Sequence, residues 1–137
     1  MSNSTRVLLI DDERLFLESL TKVLRKRGMV IYSAYSGSEA VAIISIEKFD
    51  VIVLDLKMPE MDGLMTLKAI RDRDTLTPVI LLTGYLDIER VTEALKMGVT
   101  ELLLKPCPVE TVVSAIENAH ERKAIAEETA ERRINGP

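Results

Sequence analysis

The stretch FDVIVLDLKMPEMDGL (Phe49–Leu64) joins an apolar run to a polar loop and the start of a helix. Its run Val51–Leu54 is typical of a strand buried on both faces, as in a parallel sheet covered by helices. Asp55 follows that run directly, and Asp62 stands where the N-cap of a helix is expected. The stretch therefore predicts a strand, a loop and a helix, with a carboxylate at the end of the strand.

The rest of the chain repeats this alternation. Four more short apolar runs are typical of strands: Val7–Ile10, Val30–Ala34, Val79–Leu82 and Leu102–Leu104. Apolar residues at three- and four-residue intervals predict helices between them, and a last helix from Val109 to about Arg133. Because strand and helix alternate five times and parallel crossovers are right-handed, we expect a single α/β domain. It would be a doubly wound sheet of five parallel strands with five helices.

Particular residues predict where these helices begin and end. Gly28 is expected to end the first helix, whose apolar positions include Leu15. Ser36 and Glu39 form a capping-box pattern before the second helix, and Asp87 is expected to cap the fourth. The fourth helix is expected to bury four residues: Ile88, Val91, Ala94 and Leu95.

Length and composition limit the classes of function. The chain has 137 residues, of which 47% are hydrophobic and 29% charged, as in one globular domain. Its net charge of −4 does not indicate direct nucleic-acid binding, and no apolar run approaches the roughly 20 residues that membrane insertion requires. The lone Cys107 excludes an internal disulfide and a cysteine metal cluster. We therefore expect a cytoplasmic protein with a disordered N-terminus at residues 1–5.

Five polar residues follow four of the predicted strands. They are Asp11 and Asp12 after the first, Asp55 after the third, Thr83 after the fourth and Lys105 after the fifth. In doubly wound sheets, ligands bind outside the carboxyl ends of the strands. Each residue alone is ordinary as a turn residue, a cap or a solvated charge. Their convergence on one edge of a sheet predicts a functional site.

The chemistry of this set favours phosphoryl transfer with a divalent cation. Clustered carboxylates repel one another, and oxygen-only ligands suit Mg²⁺ rather than zinc. A carboxylate can also act as a nucleophile and form an aspartyl phosphate. A lysine ammonium, a threonine hydroxyl and Mg²⁺ would together stabilise the charge on the phosphoryl oxygens.

With these residues, the chain resembles the receiver domain of bacterial two-component response regulators. The resemblance runs from about Arg6 to about Ala119, and Phe49–Leu64 carries its most specific motif. Ser36–Ala40 and the pair Lys105-Pro106 support it at the spacings usual for the family. The resemblance implies a flavodoxin-like fold, with residues 6–120 as the receiver domain and 121–137 as a helical extension, linker or tail.

The resemblance also implies a metal site and a phosphoacceptor. Asp55 corresponds to the phosphoacceptor, which also binds Mg²⁺. Asp12 corresponds to a direct Mg²⁺ ligand and Asp11 to an acidic neighbour that acts through water. The backbone carbonyl of Lys57 would complete the metal ligands from the protein.

Other positions correspond to the switching parts of a receiver. Thr83 corresponds to the hydroxyl that contacts the phosphoryl group, and Lys105 to the lysine that pairs with it. The Lys105-Pro106 bond corresponds to one that is typically cis. Leu102 stands where the family usually has an aromatic residue that swings inward on activation. We therefore hypothesise that switching is weakened at this position or rerouted through Tyr85.

The implied function is a signalling module rather than an enzyme, apart from its own phosphorylation and dephosphorylation. A sensor histidine kinase or phosphotransfer protein would donate the phosphoryl group. The face formed by the fourth helix, fifth strand and fifth helix would then contact an output domain, a target protein or a second copy of the chain. The sequence is compatible with a stand-alone regulator and with the N-terminal part of a longer one.

Two alternatives remain open from the residues. One is a protein-binding domain of the same fold that works without phosphorylation. The other is a phosphatase of the haloacid dehalogenase type, which also forms an aspartyl phosphate. Such enzymes typically carry a second aspartate two residues after the nucleophile, where this chain has Lys57.

Overall fold

The computed structural model describes residues 4–58, 61–84 and 86–135. Strands and helices alternate throughout. They are β1 (Arg6–Ile10), α1 (Arg14–Lys26), β2 (Val30–Ala34), α2 (Gly37–Ile44), β3 (Val51–Leu54), α3 (Gly63–Arg73), β4 (Val79–Thr83), α4 (Ile88–Lys96), β5 (Glu101–Leu104) and α5 (Val109–Asn135). None of the helices in the described ranges is long and apolar enough to cross a membrane.

All five strands form one parallel sheet in the order β2-β1-β3-β4-β5. This confirms the predicted doubly wound, flavodoxin-like fold with five helices in a single domain. The strand order reverses direction between β1 and β3, which are direct neighbours with Ile10 opposite Leu54. Residues that follow these two strands therefore emerge side by side at the carboxyl edge of the sheet.

Alternating strand residues build a separate hydrophobic core on each face of the sheet. Val7 and Leu9 of β1 belong to the core beneath α1 and α5, while Leu8 and Ile10 belong to the core beneath α2, α3 and α4. All four are essentially inaccessible to solvent. Burying one such side chain is worth about 1.5–3 kcal/mol, so the central strands provide a rigid support for the edge that follows them.

The predicted helix ends are confirmed. Ser36 accepts a hydrogen bond from the backbone of Glu39, whose carboxylate accepts one from the backbone of Tyr35. Asp62 and Asp87 cap α3 and α4 through their side chains. Gly28 after α1 has a φ of 89°, a left-handed conformation that favours glycine.

Three residues predicted to be apolar core positions lie at the surface instead. Ile88 and Leu95 of α4 are 76% and 54% exposed, and Leu15 of α1 is 81% exposed. On α4 the buried face is centred between Val91 and Ala94. At 100° per residue, Ile88 and Leu95 project roughly 70–90° away from that centre, so three- and four-residue spacing alone overestimated the width of the buried face.

Candidate functional site

Three carboxylates meet at the carboxyl edge of β1 and β3. Asp11 and Asp55 follow these neighbouring strands and are only 3% and 5% exposed. Asp12 lies beside them at the surface. One oxygen from each of Asp11, Asp12 and Asp55 lies within 4.8 Å of the others. The structure thus brings together the three side chains that the sequence suggested as metal ligands.

The backbone around Asp55 holds its carboxylate in place. The Lys57 N–H donates to Asp55 Oδ1 at 3.2 Å, and the Gly63 N–H donates to the Leu56 carbonyl at 2.9 Å. A Cβ atom at Gly63 would lie 2.3 Å from the Asp55 carbonyl oxygen, which is far inside van der Waals contact. Gly63 therefore lets the start of α3 approach the backbone of Asp55 and Leu56 closely.

Lys105 reaches back from the end of β5 to the carboxylates. Its Nζ lies 2.6 Å from Asp11 Oδ2 and 3.5 Å from Asp55 Oδ2. The same Nζ lies 2.6 Å from Glu13 Oε1 and 4.3 Å from the centre of the Phe16 ring. The Lys105-Pro106 peptide bond is cis, as predicted.

Burial and clustering shift the ionisation of the site. The pKa of Asp11 is raised to about 6, mainly by burial and further by the nearby Asp55 carboxylate. Hydrogen bonds from Lys105 and from the Glu13 N–H lower this pKa, but they do not outweigh burial. Burial lowers the pKa of Lys105, but hydrogen bonds to Asp11 and Glu13 outweigh it and leave that pKa raised. The ammonium therefore stays charged and compensates the carboxylates only in part.

Asp12 and Asp55 border an open cleft of about 610 Å³. Its lining residues are Asp12, Glu13, Asp55, Lys57, Met58, Thr83 and Gly84. Thr83, the last residue of β4, is fully buried at the cleft wall. The cleft thus places Thr83 and Lys57 beside Asp55. The positions after the strands predicted Thr83 there, whereas Lys57 was implied by the family resemblance.

The oxygen-rich donor set fits a hard divalent cation. Two unit charges 4.8 Å apart repel by roughly 3.5 kcal/mol at an effective dielectric constant of about 20. Lys105 lies beside Asp11 and Asp55, and Asp12 lies at the exposed side of the cluster. Mg²⁺ prefers such carboxylates together with carbonyl and water oxygens.

Leu102 and Tyr85 are the two positions at which the sequence suggested altered switching. Leu102 of β5 is half-buried and packs against the core beneath α2, α3 and α4. Tyr85 lies outside the described residues. The hypothesis that switching is altered at Leu102 stays a prediction.

Sequence reasoning missed three residues of this site. Glu13 and Phe16 contact the Lys105 ammonium, and Gly63 allows the close approach at Asp55. Glu13 directly follows the Asp11-Asp12 pair, so its place in the sequence could have indicated that it lies near the site. The contact with Lys105, which lies 92 residues further on, was not readable from local pattern.

Comparison with known proteins agrees with this geometry. The family model described as "Response regulator receiver domain" matches residues 7–117. The transcriptional regulatory protein ZraR of Salmonella typhimurium is 34% identical over 123 residues, covering 88% of this chain and 28% of that protein. The chain thus spans a little over a quarter of the length of the curated regulators it matches.

Solved structures show the same fold. A CheY-like response regulator receiver domain protein from Methanospirillum hungatei JF-1 has a TM-score of 0.85 at 26% identity, covering 90% of this chain and 99% of that one. A response regulator from Burkholderia pseudomallei, solved with a phosphorylated aspartic acid, a calcium ion and citrate, has a TM-score of 0.77 at 30% identity. The alignment covers 98% of this chain and 76% of that one. The chain belongs to the response regulator receiver domain family, the phosphoacceptor signalling modules of two-component systems.

Proposed function

We propose that Asp55 accepts a phosphoryl group from the phosphohistidine of a sensor histidine kinase or phosphotransfer protein. The observation that carries this proposal is the position of the Asp55 carboxylate. It lies at the wall of an open cleft, with Lys105 Nζ 3.5 Å from one oxygen and two more carboxylates within 4.8 Å. A nucleophilic carboxylate in this position has room for an incoming phosphoryl group and a cation beside it to stabilise the added charge.

The residues would divide the chemistry as follows. One oxygen of Asp55 forms a bond to phosphorus, while the bond between phosphorus and the donor imidazole nitrogen breaks. The electron pair of that bond stays on the imidazole, which then takes up a proton. Lys105 and the Thr83 hydroxyl would contact the transferred phosphoryl oxygens, whose charge increases as the new bond forms.

Asp11, Asp12, Asp55 and the Lys57 carbonyl would hold Mg²⁺ at this edge, with Asp11 acting through water. Bound there, Mg²⁺ would neutralise charge on the phosphoryl oxygens and on the carboxylates. The Burkholderia pseudomallei neighbour contains a phosphorylated aspartic acid and a calcium ion, which supports both parts of the proposal.

The substitution Asp55→Asn tests the acceptor directly. We expect acetyl phosphate with Mg²⁺ to add one phosphoryl group to the wild-type chain, seen by intact-mass spectrometry, and to add none to the variant. Asp72→Asn, an exposed change of the same kind on α3, is the control and should label normally. Labelling that persists in Asp55→Asn would move the acceptor to another residue. No labelling of the wild type would favour the phosphorylation-independent binding domain.

We further propose the face formed by α4, β5 and α5 as the output surface. Its exposed apolar side chains include Ile88 and Leu95 of α4 and Leu104 of β5. The relatives are several times longer than this chain, so an output domain on the same polypeptide is one partner class. A second copy of the chain is the occupant to test first, because a symmetric pair would cover this apolar surface on both chains.

Sedimentation with and without beryllofluoride and Mg²⁺ tests this surface. We expect dimers with beryllofluoride and monomers without it, and Leu95→Ser should weaken the dimer. Leu76→Ser, also at an exposed leucine but in the connection between α3 and β4, is the control. Monomers under both conditions would exclude the self-association and leave an output domain or target protein as the partner.

A further inference from the structure

Glu13 contributes a fourth carboxylate to the site. It occupies the N-cap position of α1, yet its side chain makes no capping hydrogen bond. Instead, Glu13 Oε1 lies 2.6 Å from Lys105 Nζ, the same distance as Asp11 Oδ2. The side chain of Glu13 is therefore committed to the lysine that faces the phosphoacceptor.

The contacts of Lys105 show what Glu13 does to it. An ammonium group has three N–H donors. Two point to Asp11 and Glu13, and the ring of Phe16 lies 4.3 Å from the nitrogen. The distance to Asp55 Oδ2, 3.5 Å, is the longest of the three carboxylate contacts. The two short contacts hold the nitrogen close to Asp11 and Glu13, so a short contact with a phosphoryl group on Asp55 has to compete with them.

Glu13 is the partner that can be released most easily. Its side chain is 61% exposed, whereas that of Asp11 is 4% exposed and enclosed by the site. Water can solvate the Glu13 carboxylate once it leaves Lys105, but Asp11 has no such replacement. An exchange of Glu13 for phosphoryl oxygens would therefore cost less than an exchange of Asp11.

We propose that Glu13 is a positioning residue that holds the Lys105 ammonium away from Asp55 in the unphosphorylated chain and so weakens binding of the phosphoryl group. This inference rests on the proposed phosphoacceptor function of Asp55. It makes Glu13 a determinant of how readily the site accepts and retains the group, acting through Lys105 rather than by touching the phosphorus.

Beryllofluoride binding in the presence of Mg²⁺, followed by amide NMR, measures the effect. We expect Glu13→Gln to bind beryllofluoride about three- to tenfold more tightly than the wild type, because a neutral amide competes poorly for the ammonium. Glu18→Gln removes the same charge from an exposed position on α1 and should bind like the wild type. Equal affinity of Glu13→Gln and wild type would overturn the inference while leaving the phosphoacceptor function intact.

A double-mutant cycle with Lys105→Met separates an effect through the lysine from simple charge repulsion. The gain from Glu13→Gln should vanish in the Lys105→Met background. A gain that persists there would show that Glu13 acts by its charge alone and would overturn the inference. A wild-type chain that does not bind beryllofluoride at all would instead refute the phosphoacceptor function, and this inference with it.

The Lys105 ammonium signal decides the matter if Lys105→Met binds too weakly to titrate. In ¹⁵N NMR of the chain without phosphoryl mimic, we expect slow hydrogen exchange of this ammonium in the wild type and faster exchange in Glu13→Gln. Identical exchange in both proteins would show that Glu13 does not hold the lysine.

Discussion

Gly63 illustrates how one missing side-chain atom shapes the loop after β3, which begins with Asp55. A Cβ atom there would lie 2.3 Å from the Asp55 carbonyl oxygen and 2.4 Å from Leu56 Cα. Both neighbours are backbone atoms at the end of β3, so neither can move without displacing Asp55 itself. A glycine is required at position 63 because the start of α3 lies so close to the backbone of Asp55 and Leu56.

We expect Gly63→Ala to destabilise the fold by roughly 2–3 kcal/mol, because the clash must be relieved by moving backbone. Urea unfolding measures the loss, and acetyl phosphate labelling should slow as Asp55 is displaced. Gly84→Ala is the matched control, since a Cβ there would lie 3.7 Å from Lys105 Cβ, an ordinary contact. Equal stability of the two variants would contradict the role assigned to Gly63.

The N-terminus of α3 combines a cap with a link to the next helix. Asp62 Oδ1 accepts from the Met65 N–H at 2.9 Å, while Asp62 Oδ2 pairs with Arg90 of α4 at 2.7 Å. One side chain therefore caps α3 and connects it to the first turn of α4.

The substitutions Asp62→Asn and Asp62→Ala separate these two roles. Asparagine keeps the cap and loses the ion pair, so we expect a loss below about 1 kcal/mol for this partly exposed pair. Alanine loses the cap as well and should cost about 1 kcal/mol more. Urea unfolding of both variants gives the comparison. Equal losses would mean that the cap contributes nothing measurable.

The turn between α3 and β4 depends on an ionised aspartate. Asp74 Oδ1 accepts from the backbone N–H groups of Leu76 and Thr77, and Asp74 Oδ2 accepts from the Thr77 hydroxyl. Burial raises the pKa of Asp74, but these hydrogen bonds outweigh burial and hold its pKa below the ordinary value.

Asp74 should make stability depend on pH. Because its pKa is lower in the folded chain, its contribution is present above the unfolded pKa of about 3.9 and is lost as pH falls through the folded value. We expect Asp74→Asn to cost about 1 kcal/mol at neutral pH and progressively less below about pH 4. The free energies of unfolding of wild type and Asp74→Asn across this pH range measure the contribution of Asp74. Asp72→Asn, at an exposed position, is the control. A difference between Asp74→Asn and wild type that does not change with pH would contradict this account.

At the scale of the whole molecule, α5 passes from the folded body into an exposed helical segment. The helix is buried along residues such as Ile116 and Ala119 and becomes exposed over most of its last turns. Lys123 still belongs to the folded body, because its Nζ donates to the Phe49 carbonyl at 3.1 Å and to Thr77 Oγ1 at 3.3 Å.

Truncation tests where the domain ends. The sequence predicts residues 6–120 as the receiver domain, but the contacts of Lys123 favour an end near residue 124, so we expect a chain ending at residue 124 to unfold like the full chain. A chain ending at residue 120 should lose about 1 kcal/mol, because the Lys123 hydrogen bonds are removed. Lys123→Met in the full chain should reproduce most of that loss. A chain ending at 124 that is much less stable would show that the exposed part of α5 supports the domain.

Local pattern was sufficient for much of this architecture. Local sequence predicted three kinds of feature, because each depends on contacts within a few residues along the chain. They are the buried strands, the caps at Ser36, Asp62 and Asp87, and the glycine after α1. Parallel order then placed the residues after the strands at one edge, which is why Asp11 and Asp55 were expected together and lie together.

Packing between distant segments decided the rest. The exposure of Ile88 and Leu95 depends on the width of the face that α4 packs against the sheet. The spacing of apolar residues along α4 does not determine this width. The bond from Lys105 to Glu13 joins residues 92 apart, and it forms because β1 and β5 end at the same edge and the side chain of Glu13 is not used in its cap. Amino-acid order thus specified which groups reach the site, whereas their pairing arose only when the sheet brought separate strand ends within hydrogen-bonding distance.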